Sequence, residues 1–108
     1  MIYETRVYSC QSGRLSALLQ LFEVHTLKLF EKHGIRQIGF FTALEDDSSQ
    51  ELTYLLAWES TADREQKWAA LLGDAEWIAA RTKAEEDGEI VEKVVSQLLR
   101  PTAFSALT

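Results

Sequence analysis

The spacing of apolar residues switches repeatedly between a period of two and a period of about 3.6, and the order of these switches limits the possible folds more than any other sequence feature. Residues 2–10 alternate in the manner of a β-strand. From Arg14 to Lys32, leucine and phenylalanine recur at steps of three and four residues, which predicts a helix. Gly34 follows after Lys32 and His33 of the last turn, and glycine is favoured just past the end of a helix.

Two further strands are predicted after this helix. Residues 35–44 form the first, and Gly39 within it indicates a bulge or a close backbone approach. Residues 45–50 are polar and predict a loop. Residues 52–58 are apolar on both faces, which is typical of a central strand that is covered on both sides.

The last part of the chain predicts a second helical region and a final strand. Residues 60–63, Ser-Thr-Ala-Asp, are typical of a helix start, and Gly73 predicts its end. Asp74 can cap a short additional helix. Residues 90–99 fit a strand or a helix by spacing, and their β-branched content favours a strand. Residues 102–108 are predicted to be a tail.

The resulting order, β-α-β-β-α-β, predicts an α+β fold of the ferredoxin-like type. Its four-stranded antiparallel sheet would carry both helical regions on one face. The length of 108 residues fits one domain spanning 1–108. The other face of the sheet would be bare and apolar, so we expect a homodimer in which two sheets pack face to face and close a barrel.

Composition excludes several functional classes. Eleven basic and seventeen acidic residues give a net charge of −6, which argues against nucleic-acid binding. A lone cysteine, Cys10, excludes a disulfide framework and a cysteine-rich zinc site, and we expect it to be a buried, inert thiol. Neither a membrane span nor a signal peptide is predicted, so we expect a cytoplasmic protein. We expect no metal and no cofactor.

An ordered set of short motifs resembles the NIPSNAP family over nearly the whole chain. They are Ile2-Tyr3-Glu4-Thr5-Arg6-Val7-Tyr8, Gly39-Phe40, Ala57-Trp58, Ala62-Asp63-Arg64, Asp74-Ala75-Glu76-Trp77 and the run from Leu99-Arg100-Pro101 to Ser105. Thr5 stands where the family commonly has leucine, and Ala75 and Ala103 where it commonly has proline. The resemblance implies a dimeric α/β barrel. The wider superfamily includes small monooxygenases and haem-degrading enzymes, and the resemblance implies no particular chemistry for this chain.

Glu4 and Arg6 are unusual because they lie two residues apart on one face of a strand that this topology makes central. Buried charges are costly unless they are paired. Either the pair lines a polar pocket in which Arg6 holds a ligand, or it is a structural ion pair within the subunit or across a dimer. Tyr8 shares this face and could donate its hydroxyl group to the same pocket.

The two histidines are predicted to lie on or near the buried stripe of the first helix. His25 follows Phe22 by three residues, and is either a general base, a haem ligand or a hydrogen-bonded residue at the edge of the core. His33 is best explained as a cation near the helix C-terminus. The helix places no second metal ligand next to His25, so zinc is not expected.

Arginine and tryptophan also share stripes in the second helical region. Arg64 precedes Trp68 by four residues, and Arg81 follows Trp77 by four. These pairs either form an aromatic and cationic ligand wall or are guanidinium groups stacked on indole as packing. Trp58, at a strand end, is expected in the core.

Two hypotheses on function follow. The first is a homodimeric binding module that holds a small, partly apolar ligand near Trp58, Trp68 and Trp77, or that binds a protein partner. The alternative is a cofactor-independent, monooxygenase-like enzyme with His25 as base and Arg6 or Arg64 steadying an anion. A third, weaker hypothesis is haem capture by His25. The enzyme hypothesis requires His25, Arg6 and Tyr8 to converge on one pocket.

Overall fold

The computed structural model describes residues 1–45 and 49–108. Residues 46–48, in the predicted polar loop 45–50, lie outside this description. The strands are β1 (Ile2–Cys10), β2 (Arg36–Phe41), β3 (Glu51–Trp58) and β4 (Val91–Leu99). The helical segments are α1 (Leu15–Leu21), a π-helical turn (Phe22–Thr26), α2 (Leu27–Lys32), α3 (Thr61–Leu72) and α4 (Ala75–Ala84).

The four strands form one antiparallel sheet in the order β2-β3-β1-β4, with the helices on one face. This confirms the predicted ferredoxin-like α+β fold and the central position of β1 and β3. The assignment of residues 90–99 to a strand is also confirmed. The predicted second strand is too long, because β2 ends at Phe41, opposite Thr53 of β3.

The register of β1 decides which of its side chains face the helices. Glu4, Arg6 and Tyr8 lie opposite Leu56, Tyr54 and Leu52 of β3, on the face where the helices pack. On this face β3 and the first helical region supply most of the core: Leu18, Phe22, Leu29, Phe30, Leu52, Tyr54, Leu56 and Trp58. Two charged side chains of β1 are therefore built into an apolar layer.

The first helical region contains a π-helical turn, which the spacing of its apolar residues did not predict. The Leu27 amide donates to the Phe22 carbonyl, five residues earlier, so this turn holds one residue more than an α-helical turn. After Phe22 the next side chain to face the core is consequently Thr26, which is fully buried. His25 is rotated outwards and is exposed. The prediction that His25 lies on the buried stripe is wrong for this reason.

The caps of α3 and α4 follow the sequence signals. Ser60 Oγ accepts a hydrogen bond from the Asp63 amide at 3.0 Å, as predicted for a helix start. Asp74 Oδ1 accepts from the Glu76 amide at 2.8 Å and so caps α4.

Asp74 also links two helices. Its Oδ2 atom lies 2.9 Å from Lys32 Nζ and 2.7 Å from His33 Nε2, both at the end of α2. Hydrogen bonds from Lys32, from His33 and from the Glu76 amide hold the pKa of Asp74 well below its usual value. His33 thus lies near a helix C-terminus, as predicted, and contacts a carboxylate there.

The face of the sheet opposite the helices, here called the outer face, is only partly covered. Tyr3 is buried there, and its hydroxyl group donates to the Thr108 carbonyl at 3.2 Å. Phe41, Val95 and Leu99 are exposed on this face. At Gly39 an added Cβ atom would lie 2.8 Å from the tip of the Phe41 ring, and the register shifts next to it. The predicted irregularity at Gly39 is therefore found, and the close contact there is with a side chain.

The protein has the shape of a flat slab, with extents of 44 × 37 × 19 Å. Within residues 1–45 and 49–108, no helix has the length and the apolar character needed to cross a membrane.

Candidate functional site

The Glu4 carboxylate is completely buried and accepts five hydrogen bonds. Oε1 accepts from Trp58 Nε1 at 3.0 Å and from Arg64 Nε at 2.8 Å. Oε2 accepts from Arg6 Nη1 at 2.9 Å, from Arg64 Nη2 at 3.1 Å and from Ser96 Oγ at 2.5 Å. Both oxygens are fully satisfied, so Glu4 holds its neighbours in place and has no capacity left for a ligand.

Two guanidinium groups share this one carboxylate, which leaves an excess of one positive charge. Burial by itself would raise the pKa of Glu4, but hydrogen bonds from Arg64, Ser96 and Arg6 outweigh it and lower the pKa to about 2. Glu4 is therefore ionised at neutral pH. The excess charge makes this side of the sheet suitable for an electron-rich ligand atom.

Arg6 connects the ion cluster to two tyrosines and a tryptophan. Nε donates to the Tyr54 hydroxyl at 2.9 Å, and Nη2 donates to the Tyr8 hydroxyl at 3.2 Å. The guanidinium carbon lies 4.4 Å from the centre of the Trp68 ring. Burial opposes the charge on Arg6, yet Tyr8, Tyr54 and Glu4 raise its pKa above the usual value. Arg6 stays charged and has its planar face fixed.

The two tyrosine hydroxyl groups are also bonded to each other. Tyr54 donates to Tyr8 at 2.8 Å, and the rings meet edge to face with 5.3 Å between their centres. Tyr54 is fully buried, and burial raises its pKa well above the usual value. It is therefore a neutral donor.

A cavity of about 400 Å³ lies between the first helical region, α3, α4 and the β1–β4 side of the sheet. Its buried end carries three polar side chains, Arg6, Tyr8 and Thr26. Its walls are apolar and include Leu18, Phe22, Phe30, Trp68, Leu71, Trp77 and Ile90. Its outer rim carries the charged residues Arg81, Glu85, Glu89, Glu92 and Lys93. This cavity is the candidate functional site.

The structure brings five of the predicted site residues to the cavity: Arg6, Tyr8, Trp68, Trp77 and Arg81. Glu4, Arg64 and Trp58 lie behind it and bond to one another. The Glu4–Arg6 ion pair lies within the subunit, as one interpretation predicted, and Arg6 but not Glu4 also lines the cavity.

His25 is not brought to this cavity. It lines a separate, open groove with Arg14, Lys83 and Asp87, on the other side of the helix. The convergence of His25, Arg6 and Tyr8 that the enzyme hypothesis requires is therefore not found. The geometric basis for His25 as the base of this pocket is lost with it.

The arginine–tryptophan stripes also differ from expectation. In the described part of the chain, the guanidinium group over Trp68 belongs to Arg6, while Arg64 turns to Glu4. Arg81 bonds to Glu85 Oε1 at 2.9 Å, one turn along α4. Spacing along one helix identified neighbours on that helix, but a residue from the sheet provides the cation–π contact.

Three residues of the site were not predicted. Tyr54 shares a face with Arg6 through the β1–β3 register, and Ser96 reaches Glu4 through the β1–β4 register. The alternation of each strand placed both on a definite face, but no sequence signal set the register. Thr26 enters through the π-helical turn, for which the sequence has no recognisable signal.

Among the described residues, no group of three or more His, Cys, Asp or Glu side chains is placed to hold a metal ion. Cys10 is buried, and burial raises the pKa of its thiol group. What the site offers chemically is a fixed guanidinium group, a tyrosine hydroxyl group and aromatic walls.

Comparison with known proteins gives one family. The family model described as NIPSNAP matches residues 3–106. A comparison with curated proteins finds no match.

Solved structures agree with this result. A NIPSNAP family protein with unknown function from Agrobacterium tumefaciens is 25% identical, covers 100% of this chain and 94% of its own, and superimposes with a TM-score of 0.86. A second NIPSNAP family protein from that organism is 22% identical, with 99% and 98% coverage and a TM-score of 0.86. A putative antibiotic biosynthesis monooxygenase from Nitrosomonas europaea shares the fold alone, at 12% identity, 94% and 98% coverage and a TM-score of 0.64.

Proposed function

This chain belongs to the NIPSNAP family, and on that premise we propose that it binds one small, partly apolar molecule in the cavity beside Arg6 and Tyr8. The composition of the cavity carries the proposal. Its walls are aromatic and aliphatic, and the polar groups at its buried end are few and fixed. Ligand pockets in proteins have this combination, at volumes of about 300–1,000 Å³.

The rigidity of the polar groups supports binding. Arg6 is held by Glu4, Tyr54 and Tyr8 and lies against Trp68. A ligand would not have to order this side chain, so little conformational entropy is lost on binding. The buried Glu4 carboxylate contributes to this rigidity, because its five hydrogen bonds include those that orient the guanidinium groups of Arg6 and Arg64.

The monooxygenase-like alternative has less support. It requires a base beside the bound molecule, and His25 lies in another groove. At the buried end of the cavity the polar side chains are an arginine, a tyrosine and a threonine, while the carboxylates of Glu85, Glu89 and Glu92 lie at its outer rim. Haem capture by His25 also has little support, because His25 lies in an open and polar groove, which does not suit a large apolar ring.

We also propose that two copies associate through the outer face. Phe41, Val95 and Leu99 are 60%, 50% and 38% exposed there, on a sheet with a helical layer on its opposite face only. A second copy would cover this surface and complete the barrel that the family resemblance implies. Val95→Lys should then shift the mass measured by sedimentation from two chains to one. Val24→Lys, the same substitution at a 43% exposed valine of the helical layer, is the control.

Native mass spectrometry of the untagged protein tests ligand binding first, since a bound compound adds its mass to that of the protein. Titration with 2-acetylnaphthalene, followed by quenching of tryptophan fluorescence, tests the cavity directly because Trp68 and Trp77 line it. Leu72→Trp adds a large ring at the cavity, where Leu72 is 48% exposed, and should weaken binding at least tenfold.

Leu19→Trp is the matched control, because Leu19 is a half-exposed leucine on α1 away from both the cavity and the groove of His25. It should leave binding unchanged. Absence of any adduct together with absence of saturable quenching contradicts the proposal. So does equal binding by the two variants.

A further inference from the structure

The hydrogen bonds among Arg6, Tyr54 and Tyr8 run in one direction. Arginine can only donate, so both tyrosine oxygens accept from Arg6, at 2.9 Å for Tyr54 and 3.2 Å for Tyr8. Tyr54 is fully buried, and its own proton goes to the Tyr8 oxygen at 2.8 Å. The donor and acceptor capacity of Tyr54 is thus used within the protein.

Tyr8 is where this chain of donors ends. Its oxygen accepts two hydrogen bonds, from Arg6 and from Tyr54. Its proton finds no acceptor in residues 1–45 and 49–108, and its side chain lines the cavity. We infer that the Tyr8 hydroxyl group is the hydrogen-bond donor for a carbonyl oxygen of the bound molecule, which makes a flat, largely apolar carbonyl compound the ligand class.

The surroundings of Tyr8 strengthen this donor. A hydroxyl group that accepts two hydrogen bonds, one from a guanidinium group, is polarised and donates more strongly through its own proton. Burial keeps Tyr54 protonated, so the second of these bonds persists at neutral pH. The Tyr8 ring is fixed as well, in edge-to-face contact with Phe22 and Tyr54.

The rest of the cavity selects the shape and the charge of the ligand. Trp68 and Trp77 line it together with Phe22, which suits a planar molecule. The charged lining residues are Glu85, Glu89, Glu92, Arg81 and Lys93, whose charges sum to −1. A ligand with several negative charges would be repelled on entry, whereas an uncharged carbonyl compound would not.

This inference rests on the proposed function, so its experiment uses two probes of the same shape. The first is 2-acetylnaphthalene, and the second is 2-isopropenylnaphthalene, in which a methylene group replaces the carbonyl oxygen. Wild-type protein should bind the ketone about tenfold more tightly than the hydrocarbon, as one good hydrogen bond allows. Tyr8→Phe should remove this preference by weakening ketone binding about tenfold and should leave hydrocarbon binding within twofold.

Two further variants show whether the effect belongs to this network. Tyr54→Phe removes one of the two bonds to the Tyr8 oxygen and should weaken ketone binding by about threefold. Tyr3→Phe also removes a tyrosine hydroxyl group, but one that bonds to Thr108 on the outer face, and should change nothing. In an isotope-edited infrared spectrum, the carbonyl stretch of the bound ketone should lie lower with wild-type protein than with Tyr8→Phe.

The outcomes separate this inference from the proposed function. If the protein binds both probes equally, or binds the ketone unchanged in Tyr8→Phe, the role of Tyr8 is wrong and the cavity remains a binding site. If neither probe binds, the proposed function is wrong and the inference fails with it. Should Tyr8→Phe not fold, a carbonyl stretch in wild-type protein equal to that in hydrocarbon solvent overturns the inference.

Discussion

Arg64 and Glu4 form a bidentate ion pair between α3 and β1, although sixty residues separate them in the chain. Arg64 Nε lies 2.8 Å from one carboxylate oxygen and Nη2 lies 3.1 Å from the other. This pair holds the helical layer against the sheet directly behind the cavity, and through Glu4 it fixes the position of Arg6. Stability and ligand binding therefore depend on the same contacts.

Loss of the carboxylate should be the most damaging single change in this cluster. Glu4→Ala leaves Arg6 and Arg64 without their buried partner, and breaking a buried pair in this way costs about 3–5 kcal/mol. Urea unfolding of the variant should show this loss. Glu51→Ala, at an exposed contact with Ser9, should change the free energy of unfolding by less than about 0.5 kcal/mol. Equal midpoints for the two variants would refute the structural role of Glu4.

Acid should destabilise the protein through Glu4. The pKa of Glu4 is lowered from 4.5 to about 2 in the folded protein. A carboxyl group with a lowered folded-state pKa adds stability above its unfolded pKa and loses it as the pH falls through the folded value. Between pH 4.5 and about 2, wild-type protein should therefore lose about 3 kcal/mol more than Glu4→Gln. Parallel pH profiles of unfolding free energy would contradict this.

The shape of the Arg64 side chain should matter as well as its charge. Arg64→Lys keeps the charge but cannot bond to both carboxylate oxygens from one plane, which should cost about 1–2 kcal/mol. Arg81→Lys is the matched control, because Arg81 pairs with Glu85 at the surface and such pairs contribute little. Thermal unfolding of both variants provides the comparison. A larger loss of stability in Arg81→Lys than in Arg64→Lys would contradict the stabilising role of the bidentate Arg64–Glu4 pair.

His25 should be dispensable for binding. It is exposed and lies in the groove with Arg14 and Lys83, so His25→Ala should leave the affinity for 2-acetylnaphthalene within twofold. Leu72→Trp, measured in the same titration, serves as the positive control for loss of binding. A tenfold loss in His25→Ala would restore His25 to the site and reopen the enzyme hypothesis.

Two glycines at helix ends should respond differently to alanine. Gly34 has a φ of +69°, a conformation that costs an L-residue about 1–2 kcal/mol. Gly73 has a φ of −90°, and an added Cβ atom would meet only the Ala69 carbonyl at 3.4 Å. Gly34→Ala should therefore lower the free energy of unfolding by about 1 kcal/mol, and Gly73→Ala should leave it nearly unchanged. Equal effects in chemical denaturation would show that backbone conformation does not distinguish them.

Local patterns predicted the elements because their causes are local. Alternation identified β1, and caps at Ser60 and Asp74 identified the starts of α3 and α4. The order of these elements was enough to predict the sheet and its helical layer. Placing Glu4, Arg6 and Tyr8 on one face needed only the two-residue period of a strand.

The sequence alone determined the fold class, the family resemblance and the presence of charged side chains on an apolar strand, because all three depend on residue types at short spacings. Only the tertiary structure decided which residues meet. The register of the sheet brought Tyr54 and Ser96 to this cluster, and one extra residue in a helical turn exchanged His25 for Thr26. Hydrogen bonds between distant strands set the register, and a local bond from the Leu27 amide to the Phe22 carbonyl closes the helical turn. A site assembled from β1, β3, β4 and two helical regions depends on how these segments pack together.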